Sequence, residues 1–133
     1  MNQPICIIDD DADIREVMKY ALDFEGMQSL LFASAKSALE YLKELSVDCL
    51  PCLIIVDLMM PEMNGEEFIE ILKKHYPDTL GKIPVVISSA RLYDETSHGY
   101  RSIRRLDKPV ALDSLYNLAR DYYKQDFSKN AYL

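Results

Sequence analysis

The chain has 133 residues, 49% of them apolar, with 15 basic and 22 acidic side chains and a net charge of −7. That length supports one domain with a buried core, and the apolar content excludes a disordered chain. The acidic balance argues against nucleic acid as a partner, because that needs a basic field, and no apolar run is long enough to cross a bilayer.

The elements follow in chain order. Ile5 to Ile8 is a short apolar run ending in three acids, which suits a fully buried strand. Ile14, Val17, Met18, Ala21 and Leu22 recur at helical spacing, and Gly26 stands where that helix would end. Ser29 to Phe32 reads as a second strand. Ser34 is placed to cap a helix carrying Ala35, Ala38, Leu39, Leu42 and Leu45 on one face. Leu53 to Val56 is a third buried strand, ending at Asp57. A turn-rich loop from Met60 to Gly65 follows. Phe68, Ile71 and Leu72 mark a third helix, which must stop before Pro77.

Pro84 to Ser88 is the expected fourth strand, with a short helix around Asp94 to Tyr100 after it. Ile103 to Leu106, with its two arginines, suits an edge strand. Leu112, Leu115, Tyr116, Ala119 and Tyr122 give a final helix. Five strand–helix repeats predict an α/β fold, a parallel sheet with helices on both faces. The expected organisation is one domain over residues 1–125 and a frayed tail over 126–133.

Charge is unevenly spread. Residues 1–66 hold 13 acids and 4 bases, whereas residues 91–110 hold 5 bases and 3 acids. In an open parallel sheet, functional groups gather where the strands end. Asp9, Asp10 and Asp11 follow the first strand, Asp57 the third, Ser88 and Ser89 the fourth, and Lys108-Pro109 the fifth. Carboxylates so placed need a cation to offset their repulsion. An oxygen-rich, partly hydrated site suits Mg²⁺. An aspartate beside Mg²⁺ can attack phosphorus, with a lysine and a hydroxyl steadying the phosphoryl oxygens.

Four segments carry a family resemblance: Ile-Ile-Asp9-Asp10-Asp11, Ile-Val-Asp57-Leu-Met-Met-Pro61-Glu-Met-Asn-Gly65, Ile-Pro-Val-Val-Ile-Ser-Ser89-Ala90 and Leu-Asp-Lys108-Pro109. Together they resemble the receiver domain of two-component response regulators, over about residues 4–124. The resemblance implies a flavodoxin-like, doubly wound sheet of five strands in the order 2-1-3-4-5. It implies that Asp57 accepts a phosphoryl group from a sensor kinase or phosphotransfer protein. Asp10, Asp57 and the Met59 carbonyl would hold Mg²⁺, with Asp9 acting mostly through water. Ser89 would donate to the phosphoryl group, and Lys108 would pair with Asp57 and then with the phosphoryl oxygens. Such a domain catalyses its own phosphotransfer and dephosphorylation without being a conventional enzyme.

The sequence departs from the family in one region. Receivers usually carry Phe or Tyr three residues before the lysine, and here that residue is Arg105. Arg105 would either respond electrostatically to phosphorylation or sit as a solvated edge residue. The basic, aromatic stretch from Arg91 to Lys108 suits contact with an acidic protein partner or a second copy. Residues 1–133 leave room for no effector domain, so output is expected through protein contacts. A phosphorylation-independent interaction module of the same fold is an alternative. So is a Mg²⁺-dependent phosphohydrolase using Asp9 and Asp11, although that leaves Asp57 and Lys108 unexplained. A flavin site is disfavoured, because the first loop offers carboxylates where a phosphate needs donors.

Cys49-Leu-Pro-Cys52 has the spacing of a redox pair. It leads into a strand instead of opening a helix, and no other Cys or His completes a zinc site, so a structural role is expected. Cys6 is expected in the core, and His75 and His98 on the surface. Three cysteines and an N-terminus without a leader-like basic segment point to the cytoplasm.

Overall fold

The computed structural model of the chain describes residues 3–90 and 104–123. Five strands form one parallel sheet: β1 (Ile5–Ile8), β2 (Ser29–Phe32), β3 (Leu53–Asp57), β4 (Val85–Ser89) and β5 (Arg105–Asp107). Their order is β2-β1-β3-β4-β5. The described helices are α1 (Ala12–Phe24), α2 (Ala35–Leu42), α3 (Gly65–His75) and α4 (Leu112–Tyr122). The helix expected around Asp94 to Tyr100 lies outside the described residues, as do Ile103 and the tail.

β1 and β3 are buried along their whole lengths, which is why they read as unbroken apolar runs. Alternation along each strand splits the core into two layers. Ile5, Ile7, Ile55, Val86 and Leu106 pack with Met18 and Leu22 of α1 and Leu115 and Leu118 of α4. Cys6, Ile8, Ile54, Val56 and Ile87 pack with Ala38 and Leu42 of α2 and Phe68 and Leu72 of α3.

The helix starts follow capping chemistry. The Asp11 side chain accepts from the Asp13 and Ile14 amides at 2.9 and 3.3 Å. Ser34 accepts from the Ser37 amide at 3.1 Å. Asn64 and Glu67 exchange hydrogen bonds in a capping box at 2.8 and 3.2 Å. Gly26 follows the end of α1 with φ of 76°, the left-handed turn that glycine allows at least cost.

Several expectations are corrected. Val17 is 53% exposed and Leu112 is 43% exposed, although both fit their helical stripes. The buried side of α3 includes Ile69, which flanks the expected stripe, and α4 buries Leu118. β3 extends to Asp57, and β4 runs from Val85 to Ser89 with Pro84 outside it. α2 stops at Leu42, before Leu45. Short 3₁₀ turns over Val47–Cys49 and Leu80–Lys82 carry no apolar period and escape a periodicity argument.

One glycine fixes how closely α3 approaches the sheet. A β-carbon at Gly65 would lie 2.7 Å from the Asp57 carbonyl oxygen and 3.1 Å from Leu58 Cα. Both neighbours are backbone and cannot rotate away. The Gly65 amide also donates to the Leu58 carbonyl at 3.0 Å, closing the loop between β3 and α3. Gly65→Ala should therefore lower stability by about 1–3 kcal/mol in urea unfolding. Wild-type stability in that variant would show that the close approach is not a constraint.

Candidate functional site

The carboxyl ends of the strands bring acids together as the topology requires. β1 and β3 are neighbours, with Ile8 beside Val56, so Asp9 and Asp57 extend adjacent strands. The Asp9 amide donates to the Phe32 carbonyl at 3.1 Å, continuing the ladder one residue past β1. Oxygens of Asp9, Asp10 and Asp57 all lie within 4.8 Å of one another. Asp9 and Asp57 are buried and Asp10 is exposed.

Lys108 joins this cluster from the other side of β4. Its Nζ lies 2.8 Å from Asp9 Oδ2 and 3.3 Å from Asp57 Oδ2. The expected pairing with Asp57 is present, and the pairing with Asp9 is shorter. Burial works against the Lys108 charge. The hydrogen bond from its ammonium to Asp9, with the charges of Asp57 and Asp9, outweighs that penalty and holds its pKa above the usual lysine value. Asp57 shifts up from the usual aspartate value: burial raises its pKa most, then the Asp9 charge, and Lys108 and the Met59 amide only partly offset them.

The surrounding backbone fixes the acids. Asp9 Oδ1 accepts from the Asp11 amide at 2.9 Å, and the Asp9 carbonyl accepts from Arg15 Nη1 at 2.7 Å. Asp57 Oδ1 accepts from the Met59 amide at 3.2 Å. The Met59 side chain is exposed, which leaves the strand-end loop open to solvent. The Lys108 amide donates to the Ser89 carbonyl at 2.9 Å, and the Lys108–Pro109 peptide is cis. Ser88 and Ser89 are both buried. Ser88 stands in register with Asp57 across β3 and β4, and Ser89 stands in register with Asp107.

The donor set is entirely oxygen, which suits a hard cation such as Mg²⁺. Three carboxyl groups stand against one ammonium, so acidic groups outnumber basic ones at the site. The residues present therefore fit a divalent ion in both donor type and charge.

Sequence reasoning missed the Arg15 contact, the Gly65 approach and the register of Ser88 with Asp57. Only the quoted Gly65 carried a signal, as the last residue of the Asp57 segment. Arg105 is half-buried in β5, in register with Ile87. Arg104 is tied within the chain, with Nη1 2.7 Å from Asp121 Oδ2 and its guanidinium over the Tyr122 ring. Arg91, Tyr93, His98, Tyr100 and Arg101 lie outside the described residues. Asp11 caps α1 and stands apart from the acidic cluster.

The Cys49–Cys52 pair takes no compact turn. Leu50 between them is extended, with φ −68° and ψ 147°. Burial raises the Cys52 thiol pKa to about 11, which keeps it protonated. Cys6 is wholly buried in β1. His75 ends α3 on the surface, as expected.

Comparison with known proteins agrees with this arrangement. A family model described as the response regulator receiver domain matches residues 5–120. The DNA-binding transcriptional regulator NtrC of Proteus hauseri is 30% identical over 132 residues, covering 95% of this chain and 26% of that protein. The heme response regulator HssR of Staphylococcus saprophyticus is 36% identical over 85 residues, covering 64% of this chain and 34% of that protein. The chain thus spans about a quarter to a third of the length of these relatives. Among solved structures, the Francisella response regulator 1452 receiver domain superposes with a TM-score of 0.75 at 26% identity, covering 90% of this chain and 95% of that one. The Vibrio cholerae chemotaxis protein CheY4 shares the fold, with a TM-score of 0.77 at 20% identity over 92% of this chain and 99% of that one. With a flavodoxin-like sheet in the order 2-1-3-4-5 and a family match across most of its length, the chain belongs to the response regulator receiver domains of two-component systems.

Proposed function

We propose that the chain is a phosphoacceptor switch, taking a phosphoryl group onto Asp57 from a phosphohistidine of a sensor kinase or phosphotransfer protein. The observation that carries this reading is the Lys108 ammonium held between Asp9 and Asp57 at the open end of the sheet. A carboxylate oxygen of Asp57 attacks phosphorus, a P–O bond forms, and the P–N bond to imidazole breaks with its electron pair leaving on nitrogen. Lys108 is placed to turn from the carboxylates to the phosphoryl oxygens. Ser89, which ends β4 one residue beyond the Asp57 row, would donate its hydroxyl to the phosphoryl group. Water later attacks phosphorus, which returns the Asp57 carboxylate and releases phosphate.

Asp10, Asp57 and the Met59 carbonyl would hold Mg²⁺, with Asp9 acting mostly through water. When bound, Mg²⁺ supplies positive charge against the phosphoryl oxygens. The switch itself requires the phosphorylated form to prefer one conformation that partners recognise. We assign that output to the Arg91–Lys108 region, with Arg105 in the usual aromatic position, and place the chain in the cytoplasm as residues 1–125 of receiver domain and a tail.

Intact mass after incubation with acetyl phosphate and Mg²⁺ tests the chemistry. Wild type should gain one phosphoryl adduct and Asp57→Asn none. A chain that gains no adduct with this or a phosphohistidine donor acts as an interaction module instead. Turnover that survives Asp57→Asn and fails in Asp9→Asn would identify a hydrolase.

Mg²⁺ should raise the melting temperature of wild type by a few degrees, and Asp10→Asn should lose most of that rise. An undiminished rise in Asp10→Asn would exclude this residue as a ligand.

The raised Asp57 pKa gives a pH prediction. Stability from the protonated form is complete below the unfolded-state pKa and is lost as pH rises through the higher folded-state value. Asp57→Asn stays neutral throughout, so without Mg²⁺ it should melt about 2–5 °C above wild type at neutral pH. The gap should close toward about pH 4, where aspartate protonates without help. A variant less stable than wild type at neutral pH would mean that attraction to Lys108 outweighs burial and Asp9.

A further inference from the structure

Asp57, Ser88 and Leu106 form one row across β3, β4 and β5. The row two residues back, Ile55 and Val86, and Leu106 itself belong to the core layer under α1 and α4, so Asp57 and Ser88 face that side too. Lys108 follows Leu106 by two residues and shares the side. Its ammonium reaches Asp57 on β3 and Asp9 past β1, although β4 stands between β5 and β3. The Lys108 side chain therefore passes the end of β4 on the side that Ser88 faces.

Ser88 is 2% exposed, and its Oγ is buried without a hydrogen-bond partner among the described residues. A hydroxyl buried in that way costs stability that alanine would not. Lys108 has a matching gap. An ammonium has three N–H donors, and among the described residues Lys108 directs them at two oxygens, on Asp9 and Asp57. A spare acceptor in the Asp57 row thus shares a face of the sheet with a side chain that has a spare donor.

We propose that Ser88 is a positioning residue for Lys108. Its Oγ accepts an N–H from the Lys108 ammonium as that ammonium turns from the carboxylates to a phosphoryl group on Asp57. The inference rests on the phosphoacceptor reading. In the free site two ionic contacts anchor the ammonium. Once Asp57 carries the phosphoryl group as an acyl phosphate its carboxyl is no longer ionised, and the ammonium exchanges that contact for the phosphoryl oxygens. A neutral acceptor fixed in the sheet then keeps the ammonium at the reacting centre without competing for it as a third carboxylate would.

The test compares wild type, Ser88→Ala and Ser88→Thr in phosphoryl adduct formation from acetyl phosphate with saturating Mg²⁺. The maximal rate should fall about tenfold in Ser88→Ala, and Ser88→Thr should restore it to within about threefold. The half-saturating acetyl phosphate concentration should not change. The melting temperature of Ser88→Ala should be no lower than that of wild type, which separates positioning from a structural role. A wild-type maximal rate in Ser88→Ala, or a threonine variant as slow as alanine, overturns the inference alone. Absence of an adduct on wild type overturns the phosphoacceptor reading and this inference with it.

Discussion

The site depends on one ammonium shared between two buried carboxylates. Asp9 and Asp57 end neighbouring strands, so the parallel register forces their charges together whatever else the sequence does. Lys108, 2.8 Å from one and 3.3 Å from the other, makes that placement tolerable. It does so incompletely. The Asp57 pKa still sits above its usual value, because burial and Asp9 together outweigh the lysine. On the proposed reading, a divalent cation would supply the positive charge that the cluster lacks.

The backbone around these groups serves the same geometry. Asp9 is held through its carboxylate by the Asp11 amide and through its carbonyl by Arg15. Asp57 is held by the Met59 amide, and the Leu58 amide donates to the Ser88 carbonyl at 2.9 Å. Gly65 lets the first turn of α3 lie directly on the Asp57 carbonyl. The loop after Asp57 is therefore clamped by β4 on one side and α3 on the other. Stiffness of this kind would keep Asp57 oriented for the in-line attack on phosphorus proposed for it.

Much of this was legible in the residues. The strands are short and buried on both faces, so Ile5–Ile8 and Leu53–Val56 declare themselves as unbroken apolar runs. Ser34 and Gly26 mark helix ends by chemistry that needs no tertiary context. Asp9, Asp10, Asp57 and Lys108 were each visible at a strand end, and the alternation of elements placed those ends together. What stayed hidden depends on three-dimensional register. The Asp9–Lys108 contact spans the whole order β1-β3-β4-β5, and neither residue has a local signal for the other. Ser88 is visible beside Ser89 at the end of the fourth strand, but only register puts it in the Asp57 row. Val17 and Leu112 look like core because helical spacing reports a face without reporting what covers it.

The central claim is that Lys108 balances the carboxylates and competes with a divalent ion for them. Calorimetric titration of Mg²⁺ into wild type and Lys108→Met tests it most directly. The account predicts that the methionine variant binds Mg²⁺ several-fold more tightly, since a competing positive charge is gone while the three carboxylates remain. Equal or weaker Mg²⁺ binding in Lys108→Met would contradict it.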